Sequence, residues 1–315
     1  MCLATTMAAA TRRILIALDF DGVLVDSAAE TCLSGYAAAK QLFPNAPWLT
    51  KRLRRPDQLA ALVGNFEAIR PCLETGWEAT ILLHLLAEGT TNEDIMANFQ
   101  SGLRDETMAK LGVTKEAAMD GFKVARQAWI EEDGTSDDWL AAHGFYDGAC
   151  QSVRELLASG RRDDVFVITT KAADFSKRLL AKQQLFGEGA VAGGIKEENI
   201  FGLGSGPKQE VLGRLLAEAG EGSAAVFVED RLLTLDKTMA DAALRTRVLP
   251  VLAGWGYNTP EQKASATEAR YTVLADPASL VSTKPVPLGG LLWIEFGMFL
   301  AQAGVLGTEV REILH

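Results

Sequence analysis

Two aspartates stand two residues apart at the end of an apolar run. The run Arg13–Phe20 reads RILIALDF, and it brings Asp19 and Asp21 together just before Gly22. Side chains two positions apart on an extended chain point the same way. Two acids buried together are costly unless a cation neutralises them, and Mg²⁺ is a hard cation that binds carboxylates. The pattern therefore predicts a magnesium site at the carboxyl end of a buried strand, where open α/β sheets bind ligands.

A calcium-binding loop and a helix-capping group of acids are two other interpretations of this segment. An EF-hand loop needs its glycine five residues after the first acid. Gly22 follows Asp19 by three residues, so the spacing excludes that loop. The capping interpretation stays open at this point.

Three later segments could complete a site for an anionic ligand. A strand-like run ends in Thr169 and Thr170, whose hydroxyl groups could hold a phosphate oxygen. Lys208 follows a proline at the start of a helical pattern, where a cation could face an anion. Another apolar run ends in the acids Glu229 and Asp230.

The elements that must position these residues alternate along the chain. Three runs are typical of buried strands: Arg13–Phe20, Asp164–Thr170 and Ala224–Asp230. Arg247–Leu252 is a fourth candidate despite Pro250, and Asn199–Leu203 and Tyr271–Ala275 show weaker strand patterns. Helical patterns lie between them: Gly148–Ser159, Asp174–Gln184, Lys208–Ala219 and Leu235–Ala243. The alternation predicts an α/β fold with a doubly wound, Rossmann-like parallel sheet.

One long stretch, from about residue 27 to 143, offers helices and almost no strand pattern. Pro71–Ala87 is amphipathic and is predicted to be one helix with Pro71 at its first turn. Thr91 is predicted to cap another helix, and Val113–Glu131 gives one more. The chain thus divides into a leader (1–12), a core (13–26 and 144–276), an inserted helical domain (27–143) and an apolar C-terminal extension (277–315).

Composition and charge argue against several classes of protein and of metal site. The chain has 315 residues and a formal net charge of −10, with 48% hydrophobic and 23% charged residues. These values are typical of a soluble globular protein, and the acidic balance argues against a nucleic-acid partner. Three histidines are too few for a His-rich zinc site, and four scattered cysteines indicate a reducing compartment.

The two ends of the chain leave the compartment open. The first 13 residues hold two arginines and no acid, which resembles an organelle transit peptide, although a short leader fits as well. Val286–Leu306 is apolar, but Glu295 and several glycines interrupt it. A buried or partner-packing helix is therefore favoured over a membrane span, and an oligomer could form through this segment. The predicted location is cytoplasmic, with chloroplast or another organelle as the alternative.

The quoted segments resemble the motifs of a known family. Asp19–Ser27 (DFDGVLVDS) resembles the nucleophile motif of the haloacid dehalogenase superfamily. Three other motifs match in order: the strand ending in Thr169, Lys208 opening a helix, and the strand ending in Glu229 and Asp230. The helical insertion after the first motif is similar to the cap of the phosphoglycolate phosphatase and β-phosphoglucomutase branch. The resemblance covers the chain from Arg13 to about residue 276.

Two details resemble a narrower group. Phe227–Arg231 (FVEDR) and Gly254–Thr259 (GWGYNT) look closest to hydrolase-like proteins of photosynthetic organisms. The resemblance does not name a substrate for that group.

The resemblance implies phosphoryl transfer through an aspartyl phosphate. Asp19 would be the nucleophile and Asp21 the acid and base. The implied phosphate ligands are Gly22, Thr169, Thr170 and Lys208. The implied Mg²⁺ ligands are Asp19, the backbone carbonyl of Asp21, and Asp230, with Glu229 beside them.

The resemblance also separates reactions and suggests where the substrate is chosen. Dehalogenases of the superfamily lack an acid at the place of Asp21, so Asp21 favours phosphate chemistry. Arg70 and Glu74 flank Pro71 and could contact a substrate, although a solvated helix face is the other interpretation.

The predicted function is an Mg²⁺-dependent phosphatase that acts on a small phosphorylated metabolite. Two alternatives remain: a phosphomutase of the β-phosphoglucomutase type, and a non-catalytic protein that uses the fold for binding or assembly.

Overall fold

A computed structural model describes residues 13–50, 56–132 and 137–280. The chain divides into two compact units. We call Met1–Leu24 with Tyr146–His315 the core unit, and Val25–Phe145 the helical unit. Each is described by itself.

The core unit is built on a six-stranded parallel sheet. Its strands are β1 (Ile14–Leu18), β4 (Val165–Ile168), β5 (Ile200–Phe201), β6 (Ala224–Glu229), β7 (Val248–Ala253) and β8 (Thr272–Leu274), in the order β5-β4-β1-β6-β7-β8. Residues of β4, β6 and β7 are buried on both faces, which explains why their sequences are continuously apolar. The α/β class and the six strands predicted from the sequence are confirmed.

Helices accompany the strands of this sheet. They are α9 (Asp147–Ala158), α10 (Ala173–Lys182), α11 (Lys208–Ala219), α12 (Leu232–Ala240) and α13 (Pro260–Glu268). The hydrophobic core on one face joins Leu15 of β1 and Phe227 of β6 to Leu212 and Leu215 of α11. The four predicted helices are present, with ends that differ by no more than three residues.

The helical unit contains eight helices within its described residues. They are α1 (Ala28–Leu42), α2 (Pro47–Thr50), α3 (Pro56–Ile69), α4 (Ala79–Ala87), α5 (Asn92–Asn98), α6 (Arg104–Leu111), α7 (Lys115–Glu132) and α8 (Asp137–Ala141). Two short antiparallel strands, β2 (Val25–Asp26) and β3 (Gly144–Phe145), pair where the chain enters and leaves the unit. A separate hydrophobic core contains Phe66, Ile69, Trp77, Leu82 and Phe122.

The single helix predicted over Pro71–Ala87 is wrong in its first half. Arg70–Cys72 and Gly76–Glu78 are short 3-10 turns, and only Ala79–Ala87 is α-helical. The side chain of Glu78 accepts hydrogen bonds from the backbone N–H groups of Glu74 and Thr75, at 2.5 and 2.8 Å. These bonds start a new helix, so the apolar pattern runs across a break. The predicted cap at Thr91 is confirmed, because its hydroxyl accepts from the backbone N–H of Asp94 at 3.2 Å.

Two segments with a predicted role lie outside the described residues. These are the leader at 1–12 and the apolar segment Val286–Leu306. Across residues 13–50, 56–132 and 137–280, no helix is long and apolar enough to cross a membrane.

Candidate active site

The carboxyl ends of three adjacent strands carry the candidate residues. β1 lies between β4 and β6, and all three run parallel. Asp19 follows β1 directly, Thr169 follows β4, and Glu229 ends β6. Because parallel strands end at one edge of the sheet, these side chains meet there, within the core unit.

Lys208 lies between two of the carboxylates. As the first residue of α11, it places its Nζ 2.7 Å from an oxygen of Asp19 and 2.7 Å from an oxygen of Glu229. Glu229 is fully buried, and the Asp19 side chain is 8% exposed. The predicted lysine and the predicted nucleophile are therefore in direct contact.

Burial and neighbouring charges shift the pKa values of these three side chains. Burial, and then the charge of Glu229, raise the pKa of Asp19 to about 7, although Lys208 acts to lower it. Burial also raises the pKa of Glu229. Burial acts to lower the pKa of Lys208, but the carboxylates of Asp19 and Glu229 raise it above its ordinary value. Lys208 therefore remains an ammonium group.

A second lysine, to which sequence analysis gave no role, contacts Asp21. The Nζ of Lys171 lies 2.9 Å from Oδ1 of Asp21, and the lysine side chain is 4% exposed. The only sequence signal for it is its place two residues after Thr169, at the end of β4. The pairing joins residues 150 positions apart, which sequence patterns of short range do not reach.

Asp230 is held by a loop after β7. Its Oδ2 accepts a hydrogen bond from the backbone N–H of Tyr257 at 2.8 Å, and its carbonyl oxygen accepts one from Asn258 at 3.1 Å. Gly22, at φ +88°, and Gly256 lie so close to Asp230 that a Cβ on either would clash with it. The segment Gly254–Thr259, singled out from the sequence, thus fixes this carboxylate.

The acids suit a hard cation. One carboxylate oxygen each from Asp19, Glu229 and Asp230 lie within 4.8 Å of one another, and all three residues are buried. The oxygens of Glu229 are also engaged, by Lys208 at 2.7 Å and by the backbone N–H of Arg231 at 3.2 Å. Asp19 and Asp230 are therefore the better side-chain donors, with Glu229 orienting Lys208. The donor chemistry fits Mg²⁺, which prefers carboxylate and carbonyl oxygen.

The remaining predicted residues lie in different units, with the two threonines in the core unit and Arg70 and Glu74 in the helical unit. Thr169 is buried and its hydroxyl accepts from the backbone N–H of Lys171 at 3.0 Å, while Thr170 is exposed. Arg70 is 7% exposed and donates to the carbonyl of Leu73 at 3.4 Å, so it does not lie on a solvated helix face.

The fold is that of known structures from bacteria. A protein of Lactobacillus delbrueckii, named provisionally as a phosphoglycolate phosphatase, superposes with a TM-score of 0.52 at 14% identity, over 84% of this chain and 95% of its own. A predicted phosphoglycolate phosphatase from Haemophilus somnus gives a TM-score of 0.48 at 16% identity, over 88% of this chain and 100% of its own. No family model and no curated protein sequence matches the chain.

Proposed function

We propose that the chain is an Mg²⁺-dependent phosphatase that hydrolyses a small phosphorylated metabolite through an aspartyl phosphate on Asp19. The contact of Lys208 with Asp19 and Glu229 carries the proposal. It places a permanent cation against a nucleophile candidate at the edge where parallel sheets bind ligands. The phosphatase-like fold of the Lactobacillus protein is consistent with it.

Asp19 would attack the phosphorus atom of the substrate. A bond forms between a carboxylate oxygen and phosphorus, and the bond from phosphorus to the leaving oxygen breaks with its electron pair. Asp21 would give that oxygen a proton, and Lys208 would balance the negative charge of the transferring group. Water then attacks phosphorus, its proton passes to Asp21, and the Asp19 carboxylate is restored as phosphate leaves.

A metal ion fits beside these groups. Asp19, Asp230 and the carbonyl of Asp21 would hold it, with Glu229 adjacent. When bound, Mg²⁺ would reduce the repulsion between the nucleophile and an anionic phosphate. Gly22, Thr169 and Thr170 would contact phosphate oxygens through backbone or hydroxyl groups.

Phosphate release from a panel of phosphomonoesters tests the proposal. The purified chain is assayed on sugar phosphates, phosphoglycolate, nucleotides and p-nitrophenyl phosphate, with Mg²⁺ and with a chelator. We expect metal-dependent release that Lys208→Met lowers by about 10²- to 10³-fold, as for loss of one oxyanion donor. The matched control is Lys237→Met, a lysine of α12 in the core unit that lies outside the site.

Release from no ester by folded protein would refute the proposal. Retention of phosphate on the product with a bisphosphate activator would instead identify a phosphomutase. The substrate role of Arg70 and Glu74, the likeness to proteins of photosynthetic organisms, the compartment and an oligomer all stay predictions.

A further inference from the structure

We infer that Lys171 is a positioning residue, which holds the carboxylate of Asp21 for the hydrolysis of the aspartyl phosphate. The inference rests on the proposed function and adds to it a residue that the sequence motifs do not assign. Its basis is the ion pair of 2.9 Å between Lys171 Nζ and Asp21 Oδ1, in which the lysine is 4% and the aspartate 18% exposed.

The backbone of Lys171 is fixed from two sides. Its N–H donates to the hydroxyl of Thr169 at 3.0 Å, and its carbonyl accepts from the N–H of Leu203 at 2.9 Å. Gly202 packs so closely on the carbonyl of Lys171 and the backbone of Ala173 that a Cβ there would clash. A lysine side chain is ordinarily flexible, so anchoring its backbone in this way lowers the cost of holding the ammonium group in one place.

The pair matters most in the second half of the reaction. The oxygen of a water molecule attacks phosphorus, the bond between phosphorus and Asp19 breaks, and the proton from water passes to Asp21. This step needs the side chain of Asp21 in a fixed orientation, and the ion pair with Lys171 at 2.9 Å holds it there. Formation of the aspartyl phosphate from p-nitrophenyl phosphate depends less on Asp21, because p-nitrophenolate leaves without a proton.

Formation and hydrolysis of the phosphoenzyme affect different kinetic constants. For p-nitrophenyl phosphate, kcat/KM reports formation of the phosphoenzyme, whereas slow hydrolysis lowers kcat and KM together. A residue that merely supports the fold would lower kcat/KM or the amount of folded protein instead.

The experiment compares Lys171→Met and Lys171→Arg with wild type in the full chain with Mg²⁺. We expect Lys171→Met to lower kcat about 10- to 100-fold and KM by a similar factor, with kcat/KM unchanged. Phosphoenzyme trapped by acid quench at steady state should increase. Lys171→Arg keeps the charge and should restore part of kcat. If the methionine variant does not fold, kcat, KM and trapped phosphoenzyme are compared between Lys171→Arg and wild type.

The matched control is Lys177→Met on α10. Lys177 forms an ion pair with Glu197 at 2.6 Å in the core unit and has no part in the proposed chemistry, so its variant should match wild type. The inference is overturned if the Lys171 variants lower kcat/KM as much as kcat, accumulate no phosphoenzyme, or match wild type. A wild-type chain that hydrolyses no ester of the panel would refute the proposed function first, and the inference with it.

Discussion

Each unit of the molecule buries a group of charged side chains, and the two groups are built differently. In the helical unit, Glu30 is 0% exposed and its oxygens accept from Arg126 at 2.7 and 2.8 Å. Ser34 donates to it at 2.7 Å and Trp139 at 3.2 Å. His143 lies 3.8 Å from it and uses its other ring nitrogen on a backbone carbonyl. One carboxylate thus meets one guanidinium group and several polar partners.

The group in the core unit brings several acids close together. Four carboxylates come together here, and the ammonium groups of Lys171 and Lys208 contact three of them. The four carboxylates belong to Asp19, Asp21, Glu229 and Asp230. The charge of Arg231 also acts to lower the pKa of Glu229. Burial, and then the charge of Glu229, raise the pKa of Asp19 to about 7.

Under the proposed function, the group in the helical unit is structural and the group in the core unit is the reactive site. A balanced and hydrogen-bonded pair is the form that folding tolerates. Acids that are buried close together cost stability, and such groups with shifted pKa values are typical of functional sites. We therefore expect equal chemical changes in the two groups to have different effects.

The largest expected effect is on activity. Asp19→Asn should lower phosphate release by at least about 10⁴-fold, because the amide is not a nucleophile. Glu30→Gln, the same chemical change in the other group, should leave kcat within about threefold in protein shown to be folded, since Glu30 has no role in the proposed chemistry. Release assays on one substrate compare them. Residual activity of Asp19→Asn near that of Glu30→Gln would refute the role of Asp19.

The next effect is on folding of the helical unit. Arg126→Met leaves the carboxylate of Glu30 buried without its guanidinium partner, and should lower the free energy of unfolding by about 3–5 kcal/mol. Adding Glu30→Gln removes the uncompensated charge and should recover part of the loss. Urea unfolding of the single and double variants measures the coupling. A double variant less stable than Arg126→Met would show that the pair is not the unit of stability.

In the core unit of metal-free protein, removal of a charged group should raise the free energy of unfolding instead of lowering it. Asp19 has an ordinary pKa of 3.8 and a folded pKa of about 7. The folded state thus holds the proton more tightly, and stability is lost as pH rises from about 4 to 7. Asp19→Asn lacks this ionisation and should be more stable than wild type by about 2–4 kcal/mol at pH 8. The gain should shrink toward pH 4.

Urea unfolding at several pH values, with a chelator present, measures whether Asp19→Asn is more or less stable than wild type. A variant that is less stable than wild type at pH 8 would mean that the attraction between Asp19 and Lys208 outweighs the burial of the charge. Arg126→Met serves as the comparison, because its loss of stability should not reverse with pH.

The sequence predicts the sheet, and it names most residues of the candidate site, because both depend on short stretches of chain. A run such as AAVFVE is apolar throughout only when both faces are covered, so the strand can be read without its neighbours. Asp19 and Glu229 stand at the ends of such runs, and the edge of the sheet brings them together. The pairing of Lys171 with Asp21 could not be predicted, because a lysine after the end of a strand shows no pattern that identifies its partner.

The break before α4 shows another limit of the sequence. Periodicity over Pro71–Ala87 records which residues are buried. It does not record that Glu78 binds the backbone N–H groups of Glu74 and Thr75. A side chain that replaces backbone bonding ends one element and starts another without changing the apolar pattern.

The smallest effect that we predict is on metal binding, and it distinguishes the two groups of charges most directly. Below about pH 7 the Asp19 carboxyl is increasingly protonated, so Mg²⁺ must displace a proton to bind. Affinity should fall by up to about tenfold per pH unit between pH 7 and 5, and binding should release a proton. Calorimetry in buffers of different ionisation enthalpy measures both the affinity and the proton release.

In Glu30→Gln the proton release should be unchanged, because the balanced group has no need of a cation. In Asp19→Asn it should vanish together with most of the affinity. Equal affinity at pH 8 and pH 6 in wild type would show that the ion does not bind at Asp19.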